Sequence, residues 1–103
     1  MRKADVFLKE TLAGELIEIE KQKEYWFIYR TGYSGHPVSL TMPVEQQKYV
    51  YNTFPPFFDG LLPEGFQFEA LLKIKKIDRN DFFTQLMAVG SDTVGAVSVK
   101  EVL

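Results

Sequence analysis

The spacing of apolar residues changes at Pro55 and Pro56, and this change limits the fold more than any other feature of the chain. Before the two prolines, short segments alternate apolar and polar residues, as at residues 16–20, where isoleucines occupy one side and glutamates the other. After them, apolar residues recur every three or four positions, which is typical of helices. Strands followed by helices and one last strand predict an α+β domain, with helices on one face of an antiparallel sheet.

The first half of the chain predicts four strands. They are expected at residues 6–8, 16–20, 25–29 and 38–42, and residues 11–15, which include Gly14, are expected to form the first turn. Residues 25–29 are Tyr-Trp-Phe-Ile-Tyr without a charged residue, so both faces of that strand are expected to be covered. In a domain of this size its own helices can cover one face, which leaves the other face for something else.

The second half predicts three short helices and the last strand. The first helix begins at Pro55 or Pro56, includes Phe57, Phe58, Leu61 and Leu62, and ends at Pro63. The second runs from about Gly65 to Lys75, and the third is capped by Asn80 or Asp81 and closed by Gly90. The last strand is expected at residues 94–102, with Val97 and Val99 facing the core. The prediction is thus one domain, residues 1–103, with a sheet of four to five strands and three helices.

The composition favours a folded, soluble domain. A chain of 103 residues can build one modest core, and its 46% hydrophobic and 15% aromatic content disfavours disorder. The net charge is −2, and the one basic concentration, at residues 73–79, is typical of a helix end, so direct nucleic-acid binding is disfavoured. No apolar run suits a signal peptide or a membrane span, so we expect a cytoplasmic protein without a membrane partner.

The sequence shows no pattern for catalysis, a metal or a cofactor. The lone His36 lies in a Gly-His-Pro segment, and the chain has no cysteine or second histidine to complete a site. The glycine spacing of residues 60–65 resembles a phosphate-binding loop, but Phe66 and Gln67 stand where Lys and Ser or Thr are required. The loops that hold nucleotide and metal in protein kinases are missing as well. We therefore expect a non-catalytic protein with no cofactor and no small-molecule substrate.

Two aspartates could suggest a pair of catalytic carboxylates. Asp59 is expected in or beside a helix end, and Asp92 lies in a Gly-Ser-Asp-Thr turn, where its side chain can accept hydrogen bonds from nearby backbone amides. Both are therefore predicted to be structural.

Three segments resemble the motifs of one protein family in order and spacing. They are Pro-Val-Ser-Leu-Thr-Met-Pro at 37–43, Phe-Phe-Asp-Gly-Leu-Leu-Pro-Glu at 57–64, and Val-Gly-Ser-Asp-Thr-Val-Gly-Ala-Val at 89–97. Together they resemble the N-terminal subdomain of the HipA family of Ser/Thr-kinase toxins, from about Val6 to Val99. The resemblance implies structural roles for the motif residues Phe57, Phe58, Asp59, Leu61, Leu62, Gly90, Asp92 and Gly95.

The resemblance implies a protein that acts on a kinase rather than as one. The kinase that follows this subdomain in HipA is not among the 103 residues, and standalone copies resemble the small antitoxin component of three-protein toxin–antitoxin systems. Two partners are then implied, a HipT-like Ser/Thr kinase toxin and a HipB-like helix-turn-helix protein. The leading hypothesis is an antitoxin that binds and inhibits the kinase. The alternative is an accessory subunit that stabilises or completes the kinase while the HipB-like protein neutralises it.

One aromatic residue does not fit the apolar side of its helix. In a helix that begins near Gly65, Phe66 lies about 160° from Phe68, whereas Leu71 and Leu72 lie within about 60° of Phe68. Phe66 is thus predicted to point away from the core as an interface anchor. The alternative is a later helix start, with Phe66 folded back as a hydrophobic staple. The residues proposed to bind the kinase are Pro63, Glu64, Gly65, Phe66 and Gln67.

Overall fold

One antiparallel sheet of five strands forms the frame of the protein. The computed structural model describes residues 1–93 and 95–102, apart from the side chain of Asp92. The strands are β1 (Arg2–Leu8), β2 (Thr11–Glu20), β3 (Glu24–Tyr29), β4 (Lys48–Tyr51) and β5 (Val97–Val102). Their order in the sheet is β4-β3-β2-β1-β5, and every neighbouring pair is antiparallel. The first strand is therefore internal, between its hairpin partner β2 and the last strand, which forms one edge of the sheet.

The helices cover one face of this sheet. They are α1 (Pro56–Asp59), α2 (Gly65–Lys75) and α3 (Phe82–Val89), and a single 3-10 turn, Gly90–Asp92, follows α3. Phe58 and Phe83 are fully buried together with strand residues such as Leu16 and Phe27, and the Phe58 and Phe27 ring centroids are 5.6 Å apart. The predicted α+β class, with an antiparallel sheet of four to five strands and three helices, is confirmed, and the sheet has five strands.

The strand predicted at residues 38–42 is wrong. These residues belong to the long connection between β3 and β4, and the fourth strand lies later, at Lys48–Tyr51. The apolar pattern instead reflects burial inside the loop. The Tyr29 hydroxyl accepts a hydrogen bond from the Val38 amide at 3.1 Å and donates one to the Met42 carbonyl at 2.5 Å. Both loop residues are thereby held in the core.

The first turn is also placed differently from the prediction. The chain reverses at Lys9 and Glu10, which have φ values of 49° and 70°, and Gly14 lies inside β2. A Cβ atom on Gly14 would stand 2.3 Å from the Ile28 carbonyl oxygen. The glycine is therefore required by the close approach of β3 and not by a turn.

The helix boundaries agree with the prediction for α2 and α3 and differ for α1. Helix α1 ends at Asp59, and the amide of Leu62 bonds to the Asp59 carbonyl at 3.1 Å, so a tighter turn replaces the predicted last helical residues. Asp81 caps α3 by accepting a hydrogen bond from the Thr84 amide at 3.2 Å. Strand β5 begins at Val97, later than predicted, and its two inward valines are buried as expected.

Candidate functional site

The turn at residues 63–67 presents an aromatic ring to solvent. Glu64 is extended (φ −123°, ψ 162°), Gly65 has φ +59°, and α2 begins at Gly65. Phe66, in the first turn of α2, is 95% exposed. This position agrees with the helical-wheel prediction and differs from the staple alternative, because a staple would bury the ring. Glu64, Gly65 and Gln67 are exposed as well, and Pro63 is half-buried.

Helix α2 lies at the periphery of the domain. None of its eleven residues, all of which are described, is buried, and the predicted core stripe of Phe68, Leu71 and Leu72 is only half-buried. Arg79, which follows the end of α2, contacts two residues of the helix. Its guanidinium forms a 2.6 Å ion pair with Glu69 and lies 5.8 Å from the centroid of the Phe68 ring. The helix is thus held by few contacts, and its first turn projects into solvent.

The second motif, residues 57–64, is partly buried and leads directly into the exposed turn. Phe58 is fully buried and Leu62 nearly so, whereas Phe57 and Leu61 are half-buried. Asp59 is exposed at the last position of α1, which agrees with the predicted structural position beside a helix end. The motif therefore anchors residues 57–62 in the core immediately before the chain reaches the exposed turn.

The third motif brings α3 against the last strand. Gly90 caps the C-terminal end of α3, as predicted, and its backbone is right-handed (φ −61°). A Cβ atom there would lie 2.5 Å from the Val99 carbonyl oxygen, so close packing on β5 requires the glycine. Gly95 has φ +117°, which favours glycine. The predicted hydrogen bonds of the Asp92 side chain lie outside the described residues.

A buried ionic network was not predicted from the sequence. Glu18 is on the face of the sheet that the helices cover, with 3% of its side chain exposed, and it pairs with Arg2 at 2.7 Å. Arg2 also reaches Asp81 at 2.9 Å and the Thr84 hydroxyl at 2.8 Å. Burial, with the adjacent Glu18 carboxylate, raises the pKa of the Tyr25 hydroxyl to about 12. The network fastens the N-terminal end of α3 to the middle of the sheet.

Acid should weaken the domain through Asp81. Burial acts to raise the pKa of this carboxyl group, but hydrogen bonds from Arg2 and Thr84 outweigh burial and hold the pKa below its ordinary value. A depressed pKa means that ionised Asp81 stabilises the fold above the unfolded-state pKa near 3.9, and that this stability is lost as the pH falls through the folded-state pKa. Melting temperatures of wild type and Asp81→Asn, measured between about pH 6 and pH 2.5, check the prediction. The wild type should lose more stability in acid, and equal losses would contradict it.

The outer face of β3 is apolar but already partly covered by this chain. The Lys48 ammonium lies 3.5 Å from the centroid of the Trp26 ring, and the indole N–H donates to the Glu24 carboxylate at 2.7 Å. Ile28 is half-buried on the same face, and Val50 is exposed. The strand therefore has two apolar faces, as expected, with one in the core and the other covered in part by Lys48 of the neighbouring strand β4.

The lone histidine lies in the connection between β3 and β4. His36 is exposed in the β3–β4 connection, where its carbonyl accepts a hydrogen bond from the Tyr33 hydroxyl at 2.6 Å. Among residues 1–93 and 95–102, no three histidine, aspartate or glutamate side chains gather where they could hold a metal ion. Over the same part of the chain, no helix has the length and apolar character to cross a bilayer.

Known proteins resemble this chain over nearly its whole length. The model of the HipA N-terminal domain family matches residues 4–100. A Haemophilus influenzae protein described as uncharacterised is 35% identical over 95 residues, which are 90% of each chain. The solved N-terminal domain of HipA toxin is 30% identical with a TM-score of 0.78, and the match covers 100% of this chain and 94% of that one.

A second solved structure shares the fold at lower sequence identity. A chain of the Shewanella oneidensis MR-1 toxin–antitoxin complex of HipA, HipB and operator DNA is 24% identical with a TM-score of 0.76. The match covers 94% of this chain and 23% of that chain. One relative is thus a domain of a toxin, and the chain of the toxin–antitoxin complex shares the fold. By its family match and its sequence identity to these relatives, the chain belongs to the HipA N-terminal domain family.

Proposed function

We propose that this domain is a HipS-like antitoxin, the non-catalytic subunit of a HipBST-type system, and that it binds and inhibits a HipT-like Ser/Thr kinase toxin. The observation that carries the proposal is the exposed ring of Phe66 at the start of α2. Membership of the HipA N-terminal domain family supports a kinase as the partner. The related complex that contains HipB and operator DNA supports a HipB-like protein as a second partner in a larger assembly.

The turn at residues 63–67 is suited to present an anchor without reorganisation. Pro63 restricts the approach, and Gly65 adopts a backbone conformation that costs other residues about 1–2 kcal/mol. The ring is thus held outward before any partner arrives. Burying a phenylalanine side chain contributes about 1.5–3 kcal/mol of favourable free energy. The isolated domain does not gain this free energy at Phe66, because the ring is exposed. A partner pocket that receives Phe66 recovers that free energy, as aromatic anchors do at protein interfaces.

Inhibition follows from where this ring is placed on the kinase. We propose that the turn brings Phe66 into or against the nucleotide cleft, so that the ring excludes the nucleotide or holds the two kinase lobes apart. Neither action requires a catalytic group on the antitoxin. The proposed complex forms in the cytoplasm, where both partners act.

The substitution Phe66→Ala should separate binding from folding. Because the ring is 95% exposed, the variant should melt within about 3 °C of wild type. Loss of an aromatic anchor should weaken kinase binding by about 2 kcal/mol or more, roughly 30-fold in Kd, and should reduce rescue of cells that express the kinase toxin. Thermal unfolding, calorimetric binding to the kinase and a growth-rescue assay measure the three quantities.

Two control variants make this test specific. Phe83→Ala removes a fully buried ring and should cost about 3–5 kcal/mol of stability. Ile74→Ala removes another exposed apolar side chain from the same helix, about 12 Å further along its axis, and should leave rescue intact. If Phe66→Ala unfolds the domain, or rescues cells as well as wild type, the proposed binding site is wrong. If the wild-type domain raises kinase activity, the domain completes the kinase instead of inhibiting it.

A further inference from the structure

An open groove of about 510 Å³ lies beside the turn at residues 63–67. Leu61 and Pro63 line it from the segment after α1, and Ala88 and Val89 line it from the last turn of α3. Thr93 also lines the groove, but its hydroxyl donates a hydrogen bond to the Val97 carbonyl of the same chain. Polar and apolar surface line the groove about equally, and its apolar side chains come from two segments that carry family motifs.

The groove is continuous with the surface around Phe66. Pro63, Glu64 and Gln67 line it and also belong to the turn that presents the ring. A partner that covers the whole turn, with Pro63, Glu64 and Gln67 as well as Phe66, therefore also contacts the groove. Any apolar wall left unfilled beneath that partner would lose the contacts that make an interface anchor effective.

We propose that this groove is a socket for an apolar side chain of the same kinase, so that the docking surface consists of a projecting ring and an adjacent recess. The inference rests on the function proposed above and extends it to a second, separate set of residues. Protein interfaces commonly arrange anchors in this reciprocal way, each partner filling a pocket of the other.

The charge at the groove indicates what flanks the incoming side chain. Among the described residues that line it, Glu64 carries the only charge, and it is exposed. A complementary kinase segment places an aliphatic or methionine side chain in the recess and a lysine or arginine beside Glu64. The charge pair contributes mainly to orientation and association rate, and the apolar side chain contributes the burial.

The substitution Ala88→Trp tests the socket without touching the core. Ala88 is exposed on α3, so a larger side chain there fills the groove from its rim. We expect the Kd for a catalytically inactivated HipT-like kinase to rise about tenfold or more. The melting temperature of the free domain should stay within about 3 °C of wild type. Ala88→Glu, which adds a charge in place of bulk, should weaken binding in the same direction and serves if the tryptophan variant does not fold.

The matched control places the same ring elsewhere. Ser34→Trp adds an exposed tryptophan on the β3–β4 connection, outside this groove, and should bind the kinase like wild type. If both Ala88 variants bind like wild type while Phe66→Ala binds weakly, the socket is refuted and the proposed function stands. If Phe66→Ala also binds like wild type, the proposed function falls with it.

Discussion

Replacing Gly90 with alanine should lower the free energy of unfolding by about 3 kcal/mol, because the new methyl group has no room. Its Cβ atom would stand 2.5 Å from the Val99 carbonyl oxygen and 3.0 Å from the Val99 Cβ atom. The nearest atom belongs to the backbone of β5, so no change of side-chain rotamer relieves the collision. Either α3 or β5 must move, and both contribute buried residues to the core. The melting temperature should fall by more than about 10 °C in thermal unfolding.

Gly60→Ala is the matched control for this prediction. Gly60 also follows a helix with right-handed backbone angles (φ −66°), but a Cβ atom there would meet nothing closer than the Phe57 carbonyl oxygen at 3.3 Å. The free energy of unfolding of Gly60→Ala should differ from that of wild type by less than about 1 kcal/mol. Similar losses for the two variants would show that the contact with Val99 is not the reason for the glycine.

Replacing Arg2 with alanine should cost about 3 kcal/mol, because it leaves the Glu18 carboxylate buried without its cation. Only 3% of the Glu18 side chain is exposed, whereas 31% of the Arg2 side chain is, so water can replace only part of the lost interaction. Asp81 loses the same partner, and with it the tie between α3 and the sheet. Urea or thermal unfolding at neutral pH measures the loss.

A double variant distinguishes the uncompensated Glu18 carboxylate from the lost contacts between Arg2 and α3. Arg2→Met with Glu18→Leu removes both charges and keeps apolar volume, so it should recover most of the stability lost in Arg2→Ala. If the double variant is as unstable as the single one, the cost comes from the lost contacts of Arg2 with Asp81 and Thr84 rather than from the uncompensated carboxylate.

The strands and helices that were predicted correctly are those with a local signal. Helix α2 begins at Gly65 as predicted, and Asp81 caps α3, because both signals lie within a few residues of the helix start. The apolar segment at residues 38–42 was assigned to a strand by the same logic. The burial of this segment depends on the Tyr29 hydroxyl, which accepts a hydrogen bond from the amide of Val38, nine residues later in the sequence. No local pattern in the sequence indicates that hydrogen bond.

The ionic network shows what a local pattern leaves out. Residues 16–20 alternate as predicted, but Glu18 lies on the core face and Ile17 on the outer face. The alternation in the sequence assigns residues to the two faces of the strand, but it does not indicate which face the helices cover. The choice here depends on Arg2 and Asp81, which reach Glu18 only through pairing of β1 with β2 and docking of α3.

The sequence likewise predicts one part of the candidate site, the position of Phe66, and not the other, the groove beside it. The outward position of Phe66 follows from the angle between residues on one helix, so the sequence predicts it. The neighbouring groove needs Pro63 and Val89 to meet, and they lie on different elements. The family motifs mark both segments, but their spacing in the sequence does not indicate a recess between them.

The internal place of β1 affects how quickly a newly made chain completes its sheet. Lys3 of β1 pairs with Val102 of β5, so these two strands can pair only after almost the whole domain has been synthesised. At roughly 5–20 residues per second, translation takes about 5–20 seconds to pass from one strand to the other. During that interval β1 exposes unpaired backbone groups on one side, which is the condition under which strands associate wrongly. Pairings between residues so distant in sequence also form slowly. A domain with this topology completes its sheet late, only when its last strand pairs with β1.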